Sequence, residues 1–122
     1  MKKKIIVTDD DIETLTILKE FLSLENFEIF TAVNGIQLFE ILRTNKPDLI
    51  LLDINMNWIS GYDLCSALKK SEVYKNIPVV FISAKTNQED IDLGLQLGAE
   101  DYITKPFELN KLLLKIQKIL KI

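Results

Sequence analysis

The sequence predicts an α/β domain built on a doubly wound sheet of five parallel strands. Three observations predict it. Short apolar runs alternate five times with longer amphipathic stretches. The runs are apolar throughout rather than at every second residue, as expected of strands covered on both faces. The connecting stretches are long enough to be right-handed crossover helices packed on the sheet.

The elements follow in order. Ile5-Ile6-Val7-Thr8 is β-branched and ends in acids, which reads as a buried strand. Ile12, Leu15, Leu18, Phe21 and Leu22 fall at helical spacing and predict a helix from Ile12 to Leu24. Phe27 to Ala32 reads as the second strand. After Asn34-Gly35, a helix is predicted from Ile36 to Arg43, broken by Pro47. Leu49 to Leu52 is the third strand and runs into Asp53. A polar loop leads to a helix from Gly61 to Lys70, opened by a Ser60/Asp63 capping box. Pro78 precedes the fourth strand, Val79 to Ile82. Thr86 and Glu89 predict a second capping box, and Gly98 ends that helix after Leu97. Asp101-Tyr102-Ile103 is a short fifth strand leading to Lys105-Pro106. Leu109, Leu112, Leu113, Ile116, Ile119 and Leu120 mark the inner side of a last helix from Glu108 to Leu120. The pattern shows no linker or repeat, so residues 1–122 read as one domain; the order of the strands is not legible in it.

Composition narrows the function. The net charge is −3, which gives no general attraction to nucleic acid. There is no histidine, so His-based acid–base catalysis, His-zinc sites and a Ser-His-Asp triad are excluded. Arg43 is the only arginine, so no guanidinium cluster grips phosphate. Cys65 is the only cysteine and falls in an apolar-periodic stretch, hence a core residue. The opening apolar run stops at Thr8 and is followed by three aspartates, too short for a signal peptide. No stretch of about 18 apolar residues is present to span a membrane. A reducing, cytoplasmic setting is the expectation.

In an open parallel sheet, ligands bind beyond the carboxyl ends of the strands. The first strand ends in Asp9-Asp10, the third in Asp53 and the fourth in Ser83, with Lys105 just past the fifth. Three carboxylates, a hydroxyl and an ammonium are thus predicted to converge on one edge. Crowded carboxylates resist joint ionisation, and a hard divalent cation resolves the conflict. Oxygen-only ligands favour Mg²⁺, with Mn²⁺ as a substitute. An aspartate beside such a metal can accept a phosphoryl group, a transfer that mainly needs positioning and charge neutralisation.

Four segments, Thr8-Asp9-Asp10-Asp11, Leu51-Leu52-Asp53-Ile54-Asn55-Met56, Phe81-Ile82-Ser83-Ala84-Lys85 and Asp101-Tyr102-Ile103-Thr104-Lys105-Pro106-Phe107, stand in this order over nearly the whole chain. Together they resemble the receiver domain of two-component response regulators, a CheY-like family. The resemblance implies a flavodoxin-like sheet in the order 2-1-3-4-5. It implies that Asp53 accepts the phosphoryl group and that Asp9 and Asp10 hold the metal with Asp53 and the Asn55 carbonyl. It makes Ser83 the hydroxyl that turns toward the phosphoryl group, Lys105 its ion-pair partner and Tyr102 the aromatic that follows Ser83. Ala84 leaves the phosphoryl pocket open, and Asn55 and Lys85 flank it at positions that influence the phosphate's lifetime. A cis Lys105–Pro106 bond is also implied. The phosphoryl donor would be a histidine kinase or a histidine phosphotransfer protein. The output would pass by protein binding at the face of the fourth helix, fifth strand and fifth helix, in a monomer or a phosphorylation-dependent dimer.

The loop after the acceptor departs from the family's M-P-x-x-D-G. Here it is Met56-Asn57-Trp58-Ile59-Ser60-Gly61, which predicts a less rigid loop whose Ser60 still caps the helix. Trp58 reads equally as a partner contact or a packed lid, and Asp11 as a helix N-terminal acid. Asn55 opposes a haloacid-dehalogenase-type phosphatase, which wants a second aspartate there. A phosphate-blind scaffold would lose an acid or the lysine, and a nucleotide-binding flavodoxin-like protein would need a glycine-rich phosphate loop. The chain is therefore read as a signalling module, not a multiple-turnover enzyme.

Overall fold

The structure, a computed structural model, describes residues 2–122. The chain runs β1 (Lys4–Thr8), α1 (Ile12–Leu24), β2 (Glu28–Ala32), α2 (Gly35–Thr44), β3 (Leu49–Leu52), α3 (Gly61–Lys70), β4 (Val79–Ser83), α4 (Gln88–Gln96), β5 (Asp101–Thr104) and α5 (Leu109–Leu120). The five strands form one parallel sheet in the order β2-β1-β3-β4-β5. Chain direction across the sheet reverses at β1, so the crevice lies beyond the ends of β1 and β3.

Alternate strand residues feed two cores. On one face Ile5, Val7, Leu49, Leu51, Val80, Ile82 and Ile103 meet Leu15, Leu18 and Leu22 of α1 and Leu112 and Ile116 of α5. On the other, Ile6, Ile50, Leu52, Val79, Phe81 and Tyr102 meet α2 and α3 through Leu38, Leu42, Leu64, Cys65 and Leu68. Burial on both faces explains why the strand sequences do not alternate.

Helix starts follow local chemistry in three places. Asp11 caps α1, accepting from the Glu13 N–H at 3.1 Å and the Thr14 hydroxyl at 2.8 Å. Asn34 caps α2 one residue earlier than the spacing predicts, accepting from the Gln37 N–H at 2.9 Å. Ser60 caps α3 by accepting from the Asp63 N–H at 3.3 Å. The Thr86/Glu89 box does not form. The cap of α4 is Asn87, with no side-chain bond, and α4 is anchored instead by contacts from α3 and β5 described below.

One buried group stands out. The Thr8 hydroxyl, at the tip of β1, is fully buried and has no hydrogen-bond partner among the described residues. An orphaned hydroxyl costs the desolvation of its polar atoms, whereas an apolar group of the same shape does not. Thr8→Val is expected to stabilise the fold by about 1 kcal/mol, seen as a higher urea midpoint at unchanged slope. A lower midpoint would show that the hydroxyl is satisfied.

Candidate phosphoryl and metal site

The parallel register fixes the site. Thr8 pairs with Leu52, so the next residue on each strand, Asp9 and Asp53, leaves the sheet side by side. The Asp53 N–H continues the ladder to the Thr8 carbonyl at 2.9 Å. Asp9 is 2% exposed and Asp53 5%, while Asp10 is open to solvent. Carboxylate oxygens of the three lie within 4.8 Å of one another.

Lys105 reaches this cluster from beyond β5. Its ammonium is 2.8 Å from Asp9 Oδ2 and 3.8 Å from Asp53 Oδ1. Burial alone would pull the Lys105 ammonium down, but the hydrogen bond and charge of Asp9, with Asp53 and Asp11, hold it above its usual range. Asp53 goes the other way for a carboxyl. Burial, then the charge of Asp9, push it up to about 7, against the pull of Lys105 and a 2.9 Å hydrogen bond from the Ile54 N–H. Asp11 is occupied by its cap, and the Thr14 hydroxyl, ahead of other causes, holds its carboxyl below the usual range.

Gly61 closes the loop after Asp53. Its N–H donates to the Ile54 carbonyl at 2.8 Å, and a Cβ there would run into the Asp53 carbonyl. Only glycine lets the start of α3 lie this close to the Asp53 backbone. Asn55 sits at the exposed rim of this loop. Trp58 is 96% exposed at φ +83, so it is no packed lid.

The remaining predicted residues form a hydrogen-bonded link. Ser83 is fully buried, and its Oγ accepts from the Lys85 N–H at 3.1 Å. The Lys85 carbonyl accepts from the Tyr102 hydroxyl at 2.8 Å, with the ring of Tyr102 turned into the core. The Ser83 carbonyl accepts from the Lys105 N–H at 2.7 Å, tying β4 to the segment that carries Lys105. Ala84 is exposed beside them. The Lys105–Pro106 peptide is cis.

The acids fit a hard divalent cation. They offer oxygens alone, from three carboxylates crowded together with one ammonium against two of them, and Asp10 leaves one side open to water. Asp9, Asp10 and Asp53 would hold it, and the burial of Asp53 beside Asp9 is a cost that such a cation offsets. Sequence reasoning names every one of these residues. It misses Tyr62, whose hydroxyl donates to the Asp90 carbonyl at 2.9 Å, because a tyrosine in an amphipathic helix carries no signal of its own.

A family description, response regulator receiver domain, matches residues 5–117. The nisin biosynthesis regulatory protein NisR of Lactococcus lactis is 40% identical over 99% of this chain and 52% of its own length. The alkaline phosphatase synthesis transcriptional regulatory protein PhoP of Bacillus subtilis is 35% identical over 99% and 50%. The chain thus spans about half the length of the curated relatives it matches. Among solved structures, a two-component response regulator from Clostridium difficile superposes with a TM-score of 0.92 at 29% identity, covering 98% of this chain and 97% of that one. A BeF3-activated DrrB receiver domain does so at 0.89 and 27%, covering all of both chains.

The raised Asp53 has a consequence for stability. Without metal, the folded chain holds the Asp53 proton more tightly than the unfolded chain, whose carboxyl titrates near 3.8. Stability is therefore lost as pH rises from there to about 7, and the loss is complete above it. Asp53→Asn is expected to be more stable than the metal-free wild type at pH 8 by about 1–2 kcal/mol, after allowance for screening. The advantage should fade toward pH 4 and shrink when Mg²⁺ is added. Urea unfolding of both proteins across this range measures it; an advantage independent of pH would refute the crowding.

Proposed function

This chain belongs to the response regulator receiver domain family, and on that premise we propose that Asp53 takes a phosphoryl group from a histidine kinase or a histidine phosphotransfer protein. The observation that carries the reading is the meeting of Asp9, Asp10, Asp53 and Lys105 at one strand edge. A carboxylate oxygen of Asp53 attacks phosphorus, the bond from phosphorus to the donor nitrogen breaks, and an aspartyl phosphate results. Asp9, Asp10, Asp53 and the Asn55 carbonyl would hold Mg²⁺, or Mn²⁺ in its place. When bound, the cation neutralises charge on the phosphoryl oxygens.

The chain's own groups then respond. Lys105 is already within 3.8 Å of Asp53 and turns toward the added oxygens. Ser83 carries the Lys85 N–H on its oxygen and keeps its own hydroxyl hydrogen to donate to the phosphoryl group. That donation tightens the link through Lys85 to Tyr102 and biases the face of α4, β5 and α5. Leu93, Leu95 and Leu114 are exposed on these helices and suit an output protein or a second copy of the chain. Ala84 leaves the pocket open, and Lys85 influences the access of the hydrolytic water. Residues 1–122 act as one receiver unit in the cytoplasm, catalysing only their own phosphorylation and dephosphorylation. No described helix is long and apolar enough to cross a membrane. Net negative charge leaves nucleic-acid binding to other parts of such regulators.

Acetyl phosphate with Mg²⁺ is expected to label wild-type protein on Asp53, located by peptide mapping. Asp53→Asn should take no label; equal stoichiometry in that variant would overturn the acceptor assignment. Beryllofluoride with Mg²⁺ is expected to change the Trp58 fluorescence of the wild type; Lys105→Ala should still be labelled but lose that change. Lys85→Ala should change the half-life of the label, and equal half-lives would remove Lys85 from the mechanism.

A further inference from the structure

Lys85 is held at three points, and two of them form the link from Ser83 to Tyr102. Its N–H is on Ser83 and its carbonyl on Tyr102. The third is its side chain. The ammonium lies 5.8 Å from the centroid of the Tyr62 ring, within the reach of a cation–π contact. It takes part in none of the ion pairs among the described residues.

Tyr62 cannot move to follow it. Its hydroxyl crosses from α3 to the Asp90 carbonyl of α4 at 2.9 Å. Its ring meets Phe81 edge-on at 5.5 Å, and Phe81 lies 6.0 Å from Tyr102. Gly94 lets α4 rest directly on this aromatic slab; a Cβ there would be 2.9 Å from the Phe81 ring and 3.2 Å from Tyr102. The ring is therefore a fixed seat for a flexible side chain.

We propose that Tyr62 is a positioning residue that parks the Lys85 ammonium away from Asp53 and so sets the lifetime of the aspartyl phosphate. The inference rests on the phosphoryl-acceptor reading above. In hydrolysis, water attacks phosphorus in line, the bond between phosphorus and the Asp53 oxygen breaks, and inorganic phosphate, the free carboxylate and a proton are released. An ammonium released from Tyr62 swings to the pocket rim, pairs with phosphoryl oxygens and obstructs the attacking water.

Wild type, Tyr62→Leu, Tyr62→Phe, Lys85→Ala and the double variant that combines Tyr62→Leu with Lys85→Ala are labelled with acetyl phosphate and chased. Tyr62→Leu should lengthen the half-life about threefold, the factor a cation–π contact of this kind converts to. Tyr62→Phe keeps the ring and should behave as wild type. In the Lys85→Ala background Tyr62→Leu should change nothing further, the signature of coupling through Lys85. Should Tyr62→Leu fail to fold, Tyr62→Phe with a progressively fluorinated ring weakens the same contact at constant shape and should lengthen the half-life stepwise. An unchanged or shorter half-life, an equal effect of Tyr62→Phe, or a persistent effect without Lys85 overturns the assignment. Absence of label on wild type overturns the acceptor reading and this inference together; label with invariant half-lives overturns this inference alone.

Discussion

One ammonium faces two buried carboxylates at the end of the sheet, with a third close by, and it cannot satisfy all of them. Lys105 sits closer to Asp9 than to Asp53, at 2.8 against 3.8 Å. Asp53 is left buried, beside a like charge, with only the Ile54 N–H and a distant cation in its favour. Its carboxyl is therefore pushed up to about 7, where an ordinary surface aspartate is fully ionised. The imbalance defines what the site admits. A divalent cation would remove the repulsion among the acids, and under the proposed function an anionic phosphoryl group would then have both that cation and Lys105 to meet.

The strain exists because of topology. Asp9 and Asp53 are distant in sequence, and only the direct pairing of β1 with β3 sets them side by side. The same logic carries outward: Ser83 pairs with Thr104, so the residue after it, Lys105, leaves β5 beside the hydroxyl that ends β4. A slip of one residue in either ladder would turn these side chains to the wrong face. The two apolar cores, one on each side of the sheet, resist that slip, so the chemistry at the edge depends on packing that contains none of the reacting groups.

The strands and the acids were legible in the sequence because both are local. Apolar runs ending in Asp9-Asp10, Asp53 and Ser83 state where each strand stops, and parallel topology then brings the stops together. The strand order was not legible in the pattern and entered only through the resemblance to the receiver family. The start of α4 was misread for a related reason. Thr86 and Glu89 have the spacing of a capping box, but that end of the helix is held from outside, by Tyr62 on Asp90 and Tyr102 on Lys85. Trp58 could not be decided from a polar loop, and its left-handed backbone and near-complete exposure are tertiary outcomes. The orphaned Thr8 hydroxyl was equally invisible, since a threonine at the end of a β-branched run looks like any other strand residue.

The contact best placed to report the switch, Tyr102 hydroxyl to Lys85 carbonyl, is made entirely of this chain's own atoms. On the proposed reading, a phosphoryl group that engages Ser83 has no need to create it and has only to bias it. Ser83 and Tyr102 grip the two ends of one residue, so strengthening the grip at Ser83 orders the carbonyl that Tyr102 uses. A link of this kind works as a population shift, and its range is limited to the difference in contact energy between the two arrangements. Every group that steadies Lys85 by other means narrows that difference. The aromatic seat under its ammonium therefore belongs to the same balance as the phosphoryl site, although no atom of Tyr62 touches Asp53 in the contacts that define the site.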